Sequence, residues 1–192
     1  MFRLTAWALL TLCATTSLAQ TPPAGAKVAQ LPELKEGDWW LPKSRPGKVV
    51  VTAIQDGRVT MTRGDGKEVV YTAEINTLEY PSSSGQTVIE KPFNPNLSFP
   101  LWSGKEWGGE VKSFVGPTQT GAYTRKAKAG PWEKVALDSR ELEAIRIDYE
   151  STNNPAKLTC WYAPEAKAIV KCQAPGASSP GYLLSDFGVD GK

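Results

Sequence analysis

Between Lys48 and Ile75 three β-branched runs, KVVVTAIQ, RVTMTR and KEVVYTAEI, are divided by Asp56-Gly57 and by Gly64-Asp65-Gly66. Apolar residues at every second position send one side of a strand into a core and the other into water. Asp-Gly and Gly-Asp-Gly supply the left-handed backbone that tight hairpins need. The pattern predicts a meander of three antiparallel strands, with Val59 and Met61 on one side and Thr60 and Thr62 on the other.

From Asn76 to Pro100 the alternation breaks down, and PSSSGQ and KPFNPNLSFP bring prolines, serines and asparagines. This predicts a long connection holding at most one short strand, of a length that is often functional or wraps a domain. Beyond it GEVKSFV, GAYTRKAKA, EKVAL, EAIRIDYE, KLTCWYA, KAIVKCQ and GYLLSDF recur at near-regular spacing, which predicts an all-β chain. In AIRIDYE, Ile145, Ile147 and Tyr149 alternate with Arg146, Asp148 and Glu150, the mark of a half-buried strand. After the N-terminal leader no helical run is found.

In TCWYAPEAKAIVKC one hairpin register sets Cys160 opposite Cys172, with Tyr162 facing Val170 and with Trp161 and Ala163 facing Lys171 and Ile169. The loop would then be Pro164 to Ala168, an ordinary hairpin length. Opposed cysteines can be bridged. The spacing lacks the close pair that tunes thiol acidity for redox work, and no further soft ligands accompany it for zinc. A disulfide is the preferred reading.

The N-terminus reads as a secretory leader, with Arg3, an apolar stretch from Leu4 to about Cys13, and Ser17-Leu18-Ala19 at a cleavage site. Thr11, Thr15 and Thr16 break the apolar run before it reaches the roughly 20 residues of a membrane span. The domain plan is therefore 1–19 signal peptide, 20–36 flexible tether rich in proline, and 37–192 a single β-rich domain. The expected location is periplasmic or secreted, after cleavage near Ala19, with no integral span in the mature chain.

Charge then narrows the chemistry. The full chain has 22 basic and 20 acidic side chains and no histidine. Removing Arg3 leaves the mature protein nearly neutral, without the basic surplus of a nucleic-acid binder. The lack of histidine excludes Ser-His-Asp and Cys-His nucleophile pairs and the commonest metal ligand. No metal or cofactor is expected, and no catalytic residue is assigned.

Trp39, Trp40, Trp102, Trp107, Trp132 and Trp161 are a heavy aromatic load for one small domain. Core packing accounts for them. Alternatively some line an apolar ligand cavity near FPLWSGKEW, with Trp102, Trp107, Trp161 and Tyr162 as the candidate binding residues. Glu106 with Glu110, and Glu141 and Glu143 near Asp148, could be imagined as hydrolase carboxylates, but such alternation is the usual solvated face of a strand. Arg125, Lys126 and Lys128 beside Tyr123 could meet an anionic headgroup or guard an exposed sheet edge.

GDWW at Gly37–Trp40, FPLWSGKEW at Phe99–Trp107, WEKV at Trp132–Val135 and WYAPEAKAIVK at Trp161–Lys171 resemble a family of secreted or periplasmic bacterial β-rich domains of unknown function. Its members carry GD-W, FPL-GK-W and WY-P motifs in the same order along nearly the whole mature chain. The resemblance implies a single domain with a strongly twisted, curved antiparallel meander sheet or half-barrel, and no activity. Where the family has a proline-glycine turn this chain has ALDSRELEA, Ala136 to Ala144, and the two cysteines are a local addition. A looser likeness to periplasmic lipoprotein carriers rests on fold analogy.

These readings converge on a non-enzymatic secreted or periplasmic protein that binds an apolar small molecule, a lipid or a cell-envelope protein. The alternatives are a structural or accessory envelope protein without a small ligand, and, last, a carboxylate-based hydrolase.

Overall fold

The computed structural model describes residues 20–153 and 157–191. The leader expected at 1–19 lies outside them. Twelve strands follow in chain order: β1 Trp39–Pro42, β2 Val49–Gln55, β3 Arg58–Thr62, β4 Glu68–Thr72, β5 Thr77–Pro81, β6 Thr87–Asn94, β7 Glu106–Val115, β8 Thr118–Ala136, β9 Glu141–Ser151, β10 Lys157–Ala163, β11 Ala168–Gln173 and β12 Tyr182–Gly188. Each pairs antiparallel with the next, and β1 pairs with both β2 and β12, so the meander closes into a barrel. Closure leaves no continuous open edge for another chain to pair with.

The turns obey their sequence. Asp56 and Gly57, at φ 51° and 73°, form the two-residue loop between β2 and β3, a primed turn that asks for positive φ at both positions. Val59 and Met61 are buried, whereas Thr60 and Thr62 are less so. In β9 Ile145, Ile147 and Tyr149 are buried and Glu150 is exposed. The long β8 absorbs Gly130 and Pro131 in a bulge between Ala129 and Trp132, the kind of place a strand tolerates proline.

Three expectations are corrected. The connection from Asn76 to Pro100 contains two strands, the β5–β6 hairpin. Its exposed tip from Ser83 to Gln86 is what made the sequence read as irregular. Residues 20–36 are not a loose tether. Ala29 is 2% exposed and exchanges both backbone hydrogen bonds with Leu101, at 2.8 Å each. Gln20 does the same through its side-chain amide with the backbone of Glu106, and Leu34 packs into an apolar cluster. A short apolar contact every few residues leaves no periodic signature, so the segment reads as linker while packing as part of the domain. In the β10–β11 hairpin Cys160 does face Cys172, with the sulfurs bonded at 2.07 Å, and Trp161 faces Lys171. A bulge between Trp161 and Tyr162 then shifts the rest, so that Tyr162 faces Ile169 and Ala163 faces Ala168, and the loop shortens to Pro164–Lys167.

Two apolar clusters hold the barrel. One gathers Trp40, Val51, Val59 and Met61 from β1–β3 with Val170, Leu184 and Phe187 from β11 and β12. The other gathers Ile145, Ile147, Cys160 and Tyr162 from β9 and β10 with Leu97 and Leu101 from the segment joining β6 to β7. That segment is locked from two sides. Buried Asn76 donates from Nδ2 to the Leu97 carbonyl at 2.9 Å and accepts from the Leu97 amide at 2.7 Å. The Lys105 ammonium donates to the carbonyls of Ser98 and Pro100 and lies 4.9 Å from the Trp102 ring.

Candidate functional site

A half-open cavity of about 290 Å³ lies between β1–β5 on one side and β11–β12 on the other. Its deep wall is apolar and well packed: Trp40, Met61 and Leu97 are 4%, 5% and 2% exposed. Val49, Ile75, Ile169, Tyr71 and Tyr182 continue the lining, and Arg45 and Arg63 stand at the rim. Arg45 is exposed, so the rim meets solvent while the floor does not.

Strand register explains the lining. Val49 is paired with Trp40, Met61 with Val51, and Tyr71 with Val59, which sets their side chains on one side of neighbouring strands. Directly opposed residues of antiparallel strands share a face of the sheet. Trp40 is fixed at the floor because its indole Nε1 donates to the Ala166 carbonyl at 2.7 Å. The rim is fixed by a backbone contact. A Cβ on Gly64 would lie 2.4 Å from the Pro46 carbonyl oxygen and 2.7 Å from the Gly47 Cα, so these two loops meet only because both residues are glycine. Arg45 and Arg63 flank that contact in sequence and are thereby held at the same mouth.

Burial raises the Tyr71 and Tyr182 hydroxyl pKa values, and the positive charge of Arg45 opposes the rise at both. Both phenols therefore stay neutral and can act as hydrogen-bond donors to a ligand.

The residues expected to bind ligand sit elsewhere. Tyr162 is fully buried, edge-on to Phe99 with ring centroids 5.2 Å apart. Trp102 is buried beneath Lys105. Trp107 donates from Nε1 to the Pro95 carbonyl at 3.2 Å and borders a surface groove with Gly108, Gly109 and Lys126. Trp161 borders a second groove, where Nε1 donates to Glu133 at 2.7 Å and the Lys171 ammonium covers its ring at 4.4 Å. FPLWSGKEW therefore helps to lock the segment joining β6 to β7, and the half-open cavity is lined by Trp40 with residues of β2 to β4. A signal for the latter was present: Val69 and Tyr71 alternate in phase with the buried Val59 and Met61 on the neighbouring strand.

The carboxylates weighed as a hydrolase pair are each engaged by a cation. Glu106 pairs with Lys128, Glu110 with Lys112, Glu141 with Lys134, Glu143 with Lys27, and Asp148 with Arg146. The hydrogen bond from Lys128 holds the Glu106 carboxyl below its ordinary pKa, the reverse of what a general acid needs. Among the described residues no group of three or more metal-ligating side chains comes together, and no helix is long and apolar enough to cross a membrane.

No family model matches the chain, and no curated protein does. Among solved structures, the chain is similar to the crystal structure of the hypothetical lipoprotein YmcC from Escherichia coli (K12), at 12% identity and a TM-score of 0.46, over 78% of this chain and 81% of that one.

Proposed function

We propose that this is a non-enzymatic periplasmic or secreted protein whose barrel holds a small apolar ligand. The observation that carries the reading is the half-open cavity of about 290 Å³, floored by Trp40, Met61 and Leu97 and open to solvent past Arg45. Packed barrels fill their interior with side chains, so an apolar void reaching the surface has the form of a binding site. Two further features support a binder over an enzyme: the weighed carboxylates are ion-paired, and the chain has no histidine. The location rests on the leader-like sequence around Arg3 to Ala19.

The test is titration of the purified protein with N-phenyl-1-naphthylamine, an uncharged environment-sensitive dye, read by dye emission and by tryptophan quenching through Trp40. Saturable binding is expected. Val49→Trp, which fills the cavity from its wall, is expected to abolish it in a variant that still melts cooperatively. Equal dye binding by a folded Val49→Trp protein would place the dye outside the cavity and overturn the reading.

A further inference from the structure

We infer that the cavity selects a single-chain amphiphile with an anionic head, the chain running down to Trp40 and the head held by Arg45 and Arg63. This rests on the proposed binding role and adds the polarity and length of the ligand. The three cations that line the cavity differ in what else they do. Lys167 donates to the Glu33 carbonyl at 2.6 Å, to Asp38 at 3.2 Å and to Asp190 at 2.7 Å, so its charge is already neutralised. Arg63 reaches Asp65 through one terminal nitrogen at 2.9 Å, while its Nε is buried without a partner. Arg45 takes part in no ion pair among the described residues.

No aspartate or glutamate lines the cavity. The open end carries Arg45, which has no ion pair among the described residues, beside Arg63, whose charge is shared with Asp65 and whose Nε is buried without a partner, so an anion is favoured at that end over a cation. A guanidinium hydrogen bond to a carboxylate or phosphate is among the stronger polar contacts a protein makes. The neutral hydroxyls of Tyr71 and Tyr182 line the same cavity and add donors of the same sense. The glycine contact between the Arg45 and Arg63 loops keeps the two cations together before any ligand arrives, which lowers the ordering cost of binding.

Volume sets the length. A cavity of about 290 Å³ stands at the small end of the range for ligand pockets, which suits a single chain of medium length. A medium chain fits, and a long one leaves its end in water.

Isothermal titration with decanol, decanoate, decyl phosphate, decyltrimethylammonium and hexadecanoate, alongside the uncharged dye, tests this. Decanoate and decyl phosphate are expected to bind about tenfold or more tightly than decanol, the preference shrinking with added salt, and to bind more tightly than decyltrimethylammonium. Which of the two anions binds better identifies the head as carboxylate or phosphate. Decanoate and decanol should bind the Arg45→Gln/Arg63→Gln variant alike, and Arg45→Glu should shift preference toward decyltrimethylammonium. Decanol binding as well as decanoate would overturn head selection while leaving the cavity reading in place. Hexadecanoate binding better than decanoate would overturn the length limit. Failure of the dye and of every ten-carbon ligand to bind would overturn the cavity reading itself.

Discussion

Lys167 and Asp38, 129 positions apart, meet inside the protein with the ammonium 3.2 Å from the carboxylate, at side-chain exposures of 9% and 1%. Asp38 also accepts from the backbone amides of Lys35 at 3.0 Å and Asp190 at 2.9 Å. The pair thus ties the N-terminal segment, the β10–β11 loop and the C-terminus together beside the floor of the cavity. Removing one partner of a buried pair strands the other charge.

Lys167→Met is therefore expected to lower stability by about 3 to 5 kcal/mol, and adding Asp38→Asn to recover part of that loss. Chemical unfolding of the two single variants and the double variant gives the coupling. Strict additivity would show that the two groups do not depend on each other.

The N-terminal segment carries its own prediction. Deleting residues 20–35 removes the Ala29–Leu101 backbone pair, the Gln20–Glu106 pair and the Glu33 carbonyl that Lys167 contacts. The melting temperature should fall by several degrees, since each kcal/mol is worth about 2 to 4 °C in a domain of this size. An unchanged midpoint would show that the segment contributes no net stability to the fold.

For the cysteines, non-reducing peptide mapping of protein secreted into an oxidising compartment should recover Cys160 linked to Cys172. Closing a loop of 12 residues contributes about 2 to 3 kcal/mol by restricting the unfolded chain. Reduction should lower the melting temperature while leaving far-ultraviolet dichroism of β type, because two apolar clusters remain. Free thiols in oxidised, folded protein would contradict the pairing.

How far the sequence could be read depends on what each signal measures. Alternation and Asp-Gly turns report local strand geometry, and β2, β3, β4, β9 and the cysteine pairing were legible from them. The bulge between Trp161 and Tyr162, which leaves Val170 of β11 without a partner, was not, because one extra residue costs the pattern only a single position. Ring closure between β1 and β12 was not legible either, since four residues around Trp40 carry no information about a strand near the C-terminus. That Trp102, Trp107, Trp161 and Tyr162 stand away from the cavity beside Trp40 was not legible for a related reason. Tryptophan content marks where large side chains are, whereas a cavity depends on which residues, such as Val49 and Met61, the fold arranges around it. The Asp38–Lys167 tie, hidden in GDWW and APEAK, needed the fold to bring its halves together.

Glu90 gives the last prediction. It is 4% exposed, accepts from the Tyr123 hydroxyl at 3.0 Å through Oε1, and leaves Oε2 buried without a partner. Burial raises its carboxyl above the ordinary pKa, while the Tyr123 hydrogen bond and the Arg125 charge oppose the rise without cancelling it. An acid whose pKa is raised by folding favours the fold in its protonated form. Its contribution is fully present below the unfolded glutamate value of about 4.3 and is lost as pH rises through the folded value. Glu90→Gln keeps an acceptor for Tyr123 and carries no charge at any pH. The variant should therefore melt at a higher temperature than the parent at pH 7.5, and the gap should narrow as pH falls toward 4. A parent that is the more stable of the two at pH 7.5 would mean that the Glu90 carboxylate is compensated by a partner at Oε2. A gap that widens on acidification would reverse the assigned sign.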